Sequence, residues 1–178
     1  MLILGLASAK VKDPRVALGR LRDAFPNAEI QLMRADRIAG REHLWFAAQN
    51  AVKAFGQKYK RSRSLAMEML LYASCQRQIS KAIEMLGVTP QTKEIAVTAM
   101  SKASLVFGEF TAFVEKAVGG KLDPEVLEIR SKRKLSELKR SFKIGDRELE
   151  ASRVEGEADD DVVKRLVIER SALLALEG

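Results

Sequence analysis

Two hydrophobic periods alternate along this chain, and the switches between them mark its elements. Leu2–Leu6 is a short aliphatic run that predicts a buried strand. Asp13-Pro14 offers an N-cap followed by proline at the first helical position, and Val16, Leu18, Leu21 and Phe25 follow at near-helical spacing until Pro26-Asn27 ends the segment. Glu29–Arg34 alternates Ile30, Leu32 and Arg34 against Gln31 and Met33, the period of a second strand. Residues 41–58 predict a long helix with Leu44, Ala47, Ala48, Ala51, Val52 and Phe55 on its core face. Two helical pieces follow, Ser64–Ser74 and Gln76–Leu86, the second stopped by Gly87 and presenting Ile79, Ile83 and Leu86 as an inward face. Glu94–Met100 is β-branched and apolar, a third strand. A helix over Phe107–Val118 closes at Gly119-Gly120, and Asp123-Pro124 opens another whose second half, RSKRKLSELKR, is strongly basic.

The final helix, about Asp160–Leu176, carries eight aliphatic positions, a stripe wider than one core contact requires. Either it is buried on two sides or its outer side meets another protein. Asp159, Asp160 and Asp161 fall in its first turn, where they offset the positive end of the helix dipole rather than form a metal site.

The chain has 178 residues, the length of one domain, so residues 1–178 are expected to share one fold. Only 6% of residues are aromatic, so Leu, Ile, Val, Ala and Met must build the core. The start, MLILGLASAK, lacks a preceding cationic region and reads as a strand rather than a signal peptide. No apolar stretch reaches membrane-spanning length. A net charge of +7 favours polyanionic partners if the cations cluster.

Catalytic and metal chemistry find few residues to draw on. Cys75 is the only cysteine and His43 the only histidine, so nucleophile–base pairs and zinc sites lack partners. Cys75 reads as an inert small core residue in a reducing cytosol, and His43 as a packing or surface residue. Gly119-Gly120-Lys121 is not a phosphate loop: Leu122 stands where Ser or Thr is needed, and Glu115 where the upstream glycine belongs. No cofactor is expected.

The charged chemistry concentrates around KYKRSRSLAMEMLLYASCQRQISKAIEMLGV, residues 58–88. Glu68 sits inside an aliphatic run at considerable cost unless paired, and Arg61 is the expected partner. If the two helical pieces meet at an angle near Cys75, Arg77 and Gln78 emerge beside Lys58, Lys60, Arg61 and Arg63. Guanidinium and ammonium groups would then take phosphates, and flat or apolar surfaces exposed bases. The residues equally allow helix-end caps and a solvated basic face.

This region resembles the signature of the smallest core subunit of the KEOPS/EKC complex, the PRPK-binding family. The matching positions are Glu68 in an aliphatic helix, then Ser74, Arg77, Gln78 and Ile79, then Ala82, Ile83 and Gly87; the C-terminal RLVIERSALLALEG also fits the family's last helix. Cys75 departs from the glycine common there, which counts against a left-handed backbone at that point. The resemblance implies an α+β (mixed α/β) domain with a small central, mostly antiparallel sheet flanked by helices. It also implies a cytoplasmic subunit without its own active site. Such a subunit docks on and stimulates the complex's Bud/PRPK-type kinase-ATPase, and associates only indirectly with the threonylcarbamoyl-transferase subunit. The basic composition suits an archaeal member, and archaeal members also bind the 3′ CCA end of tRNA. On that reading Lys58, Lys60, Arg61, Arg63, Arg77, Gln78 and Ile79 face RNA, and Leu173 and Leu176 face the kinase. Two readings of other classes stand beside it: a kinase-binding module with no RNA role, and a small-molecule enzyme built on carboxylates and lysines around a deep pocket near Glu68.

Overall fold

A computed structural model describes residues 1–57 and 60–176, with the side chain of Leu176 outside the described set. Its strands are β1 (Leu2–Ala7), β2 (Ala28–Arg34), β3 (Ile95–Ser101) and β4 (Lys121–Leu122). They form one antiparallel sheet in the order β2-β3-β1-β4. The described helices are α1 (Pro14–Ala24), α2 (Arg41–Phe55), α3 (Leu65–Ser74), α4 (Ile79–Leu86), α5 (Phe107–Val118), α6 (Lys132–Ser141), α7 (Asp146–Ser152) and α8 (Asp159–Leu176). The result is the α+β class, with helices on both faces of the sheet.

The sheet divides two cores. Leu4, Leu6, Ile30, Leu32, Val97 and Ala99 point toward α1 and α5, where Phe110 and Leu21 close the layer. Ile3, Met33, Ala96 and Met100 point the other way, toward the larger core of α2, α3, α6 and α8. Double-sided cover explains why β3 reads as a continuous apolar run: residues 95–100 are all buried. Gly5 of β1 is fixed by close approach, since a Cβ there would lie 2.6 Å from the Asp123 carbonyl oxygen, and Asp123 N–H donates 2.8 Å to the Gly5 carbonyl.

Several expected boundaries move. Asp123-Pro124 starts a four-residue 3₁₀ turn rather than a helix, and α6 begins instead at Ser131, whose hydroxyl accepts from Lys134 N–H. On α2, Val52 is 51% exposed and Phe55 half-buried; the true core stripe is His43, Leu44, Ala47, Ala48, Ala51 and Ala54. On α4 the expected inward face also rotates: Ala82, Met85 and Leu86 are buried, whereas Ile79 and Ile83 are exposed. Both stripes obey helical periodicity, and only packing against α3 and the sheet selects between them. The wide stripe of α8 is largely resolved as burial on two sides: Val162, Val163, Leu166, Val167 and Leu174 are buried among α2, α3, α6 and α7. Leu173 is left 54% exposed.

His43 is a fully buried joint of the larger core. Ala39 N–H donates to its Nδ1 at 3.2 Å, so Nε2 carries the hydrogen and donates 2.9 Å to the Ala73 carbonyl. Its ring also meets Phe142 edge-on at 5.7 Å. Burial pushes its pKa down to about 4, against the pull of the Ala73 carbonyl and aided by Lys134. Above the unfolded-state value of about 6.5 both states are neutral and the contribution is complete; below it the unfolded chain takes up the proton first. Stability is therefore expected to fall by about 3 kcal/mol between roughly pH 6.5 and pH 4. Urea unfolding of wild type and His43→Gln across that window checks this, because the variant should lack that component of the slope.

Candidate functional site

The segment before α3 is organised by a buried carboxylate. Glu68 has no exposed surface, and Arg61 N–H and Ser62 N–H donate to it at 3.0 and 2.8 Å, with the Ser62 hydroxyl a further 2.8 Å donor. Arg61 is thus its partner through the main chain, not through the expected guanidinium. The guanidinium instead donates 3.0 Å to the Leu174 carbonyl near the end of α8 and reaches the Tyr72 hydroxyl at 3.4 Å. Arg61 is half-buried and works as a strut between α3 and α8. Its neighbours do face solvent: Arg63 is exposed, and Lys60 holds its ammonium 4.9 Å above the Phe55 ring. Lys58 lies outside the described residues.

Beyond α3 the chain turns at Cys75, which takes a left-handed conformation (φ 53°, ψ 34°) although it is not glycine. Gln76 N–H donates back to the Leu71 carbonyl at 3.0 Å, which closes the helix end. The argument from the missing glycine is overturned here, because tertiary burial of the side chain holds a conformation that its Cβ disfavours. The Cys75 sulfur sits 3.8 Å from the Val167 carbonyl, and burial pushes its thiol up to about 12, so it stays protonated and inert. Arg77, Gln78, Ile79 and Lys81 then emerge as exposed side chains. Ile79 and Ile83, at 39% and 49% exposure, add an apolar strip beside them.

The two basic groups flank a ten-residue helix, so they stand about 15 Å apart along its axis. The helix between them is itself buried along most of its length, so the two groups are separated and do not form a single converging cluster.

A second face lies on α2 and α8, where Glu42, Phe46, Lys164, Arg165, Ile168 and Glu169 line a common groove. Trp45 and Phe46 are about half exposed, at 47% and 46%, and Leu173 lies one turn beyond Glu169. Ile168 belongs to the wide aliphatic stripe expected on the last helix, whereas Trp45 and Phe46 were not singled out from the sequence. The available signal was that α2 carries large apolar residues on more than one side. Nearby ions are mostly spent on internal pairs: Lys164 with Glu128, and Arg165 with Glu157.

A dense group of titratable residues surrounds Lys134, with Asp36, Glu94, Glu128 and Glu137 on the same pocket. Lys134 is buried and donates to the Val126 and Leu127 carbonyls at 2.7 and 2.8 Å. Burial lowers its pKa to about 8, against the attraction of Glu94, Glu128 and Asp36. Its neighbours Asp36 and Glu137 are held by Arg34 and Arg37. This is a brace joining the 124–127 turn to α6, with its ions committed to structure. Among the described residues no group of His, Cys, Asp and Glu could hold a metal ion.

A sequence model of the kinase-binding protein CGI-121 family matches residues 9–174. The chain belongs to the CGI-121 family. A curated relative, the regulatory protein Cgi121 of Methanocaldococcus jannaschii, is 29% identical over 129 residues, covering 72% of this chain and 75% of the relative. The family is one of kinase-binding proteins. The matched span includes both the α3–α4 region and the α2–α8 groove.

The Glu68 clamp ties the α3–α4 surface to the end of α8. Glu68→Gln keeps an oxygen for the three donors that share Oε2, but it turns an NH2 toward Arg61 N–H where Oε1 accepts, and it exchanges carboxylate hydrogen bonds for weaker neutral ones. The expected loss is about 2–3 kcal/mol. Chemical unfolding measures it, and hydrogen exchange should show faster exchange in residues 61–68 and in the last turns of α8.

Proposed function

We propose that this protein is the small accessory subunit of a KEOPS-type complex. It binds and stimulates a Bud/PRPK-type kinase-ATPase in the cytoplasm and presents tRNA, through its 3′ CCA end, for threonylcarbamoyladenosine synthesis elsewhere in the complex. It performs no chemistry itself and needs no cofactor. The observation that carries the reading is the family match over 9–174 combined with exposure of the signature residues Arg77, Gln78 and Ile79. Lys60, Arg63 and Arg77 supply cations for phosphates, and Ile79 with Ile83 supplies an apolar surface for unstacked bases. Arg61 acts here as a positioning residue.

A gel-shift comparison of intact tRNA with tRNA lacking its last three nucleotides tests the RNA half. Wild type should bind the intact form more tightly, and Arg63→Glu with Arg77→Glu should abolish the difference while leaving the circular dichroism spectrum unchanged. Losing two phosphate contacts should also flatten the salt dependence by about 1.4. Equal affinity for both tRNAs would remove the RNA role. A kinase-only module would then remain, a reading favoured by the internal engagement of the Arg61 guanidinium.

The kinase half is assigned to the α2–α8 groove and to Leu173 beyond it on α8, together with Leu176, whose side chain lies outside the described set. Phe46→Glu or Leu173→Glu places a charge in a contact that would exclude water. Each is expected to weaken kinase binding at least tenfold, about 1.4 kcal/mol, by calorimetry. Unchanged affinity in both variants would move the interface elsewhere.

A further inference from the structure

Gly119-Gly120-Lys121 has no part in either face above, yet it forms the floor and one wall of a groove on the opposite side of the sheet from α3. Ser8, Lys10, Glu115, Lys116, Gly119, Gly120 and Lys121 line an open volume of about 510 Å³, within the usual size range of small-ligand sites. Three elements bring the lysines together. Lys10 follows β1, and its N–H donates 2.9 Å to the Val118 carbonyl. Lys116 lies in the last turns of α5, and Lys121 starts β4. All three are exposed.

The lone carboxylate of the groove offsets one of them at most. One Glu115 oxygen accepts Leu122 N–H at 2.8 Å, and the other stands 4.0 Å from Lys121. The carbonyls ending α5 are served by main chain: Gly120 N–H donates to the Glu115 carbonyl, and Lys10 N–H to that of Val118. The floor is bare backbone. Gly119 is left-handed (φ +64°), and a Cβ on Gly120 would lie 2.9 Å from the Ala7 carbonyl oxygen. Ser8, across the groove, is also left-handed (φ 55°), a conformation costing a non-glycine residue about 1–2 kcal/mol. It leaves a hydroxyl exposed beside Lys10. Three ammonium groups facing one carboxylate, with a hydroxyl, over a side-chain-free floor leave an excess of positive charge that matches a tetrahedral oxyanion carrying more than one charge.

We propose that this groove is a phosphate-binding site, taking either a polyphosphate group or the backbone phosphates of a nucleic acid. It is separate from the α3–α4 surface, and it stands whether or not that surface binds RNA.

The test uses the full chain with two probes, tripolyphosphate and a single-stranded 12-nucleotide oligouridylate. Calorimetric titrations run at low salt, with sodium chloride matched in ionic strength as the control. Lys10→Gln, Lys116→Gln and Lys121→Gln are combined in one variant, and Arg63→Glu with Arg77→Glu form the comparison. At least a tenfold loss of affinity for either probe in the triple variant, with the comparison variant retaining that affinity on the same probe, supports the site. Loss for tripolyphosphate alone identifies a small polyphosphate, and loss for the oligonucleotide identifies a nucleic-acid backbone. Wild-type-like affinity of the triple variant for both probes, or no binding beyond the chloride control, overturns it. A triple variant that does not fold is replaced by Lys116→Gln alone, for which a three-fold loss is expected and none overturns the site.

Discussion

A buried carboxylate that takes its hydrogen bonds from two main-chain amides and a hydroxyl governs the arrangement of the segments around α3. Glu68 sits in an apolar helix, and an ionised carboxylate there is tolerable only if its oxygens find several donors. The chain supplies them by folding residues 61 and 62 back over the helix, so the main-chain amides of a cationic segment become ligands of the acid. That requirement fixes where the Arg61 side chain begins. From there its guanidinium spans to the Leu174 carbonyl. One desolvated group thereby sets the basic segment, the start of α3 and the end of α8 relative to one another.

The consequence is a division of labour among cations that their spacing in sequence hides. Arg61 works inside the molecule, whereas Arg63 faces out two residues later. At the other end of α3, the left-handed Cys75 releases the chain so that Arg77, Gln78 and Ile79 leave the core together. The α2–α8 groove has a different character, with half-exposed aromatic and aliphatic groups among ions already matched to partners. The first suits a flexible polyanion, and the second a protein surface. The Gly119-Gly120 groove is a third kind, with lysines on a bare backbone floor.

Much of the fold was legible from the chain, for identifiable reasons. The main strands and helices announced themselves through period, caps and stops: Asp13 caps α1, Ser64 caps α3, and Gly119 ends α5 in the left-handed form. β4 was not legible, because two residues carry no period and exist as a strand only through pairing with Leu6 and Ala7. The 3₁₀ turn at 124–127 shares its Asp-Pro start with a true helix. The Asp159–Asp161 cluster fell in the first turn of α8, as its position implied.

The sequence by itself determined the element types, the α+β class, the scarcity of catalytic and metal-binding residues and, through the signature around Arg77, the family. These rest on local periodicity, composition and motif, which survive any rearrangement of the elements in space. Tertiary structure alone decided which of two apolar stripes on α2 and α4 turned inward, which arginine became a strut, and that Cys75 would bear a left-handed turn. Each of those choices depends on what the rest of the fold places opposite a residue, and a helix wheel or a spacing contains no such information.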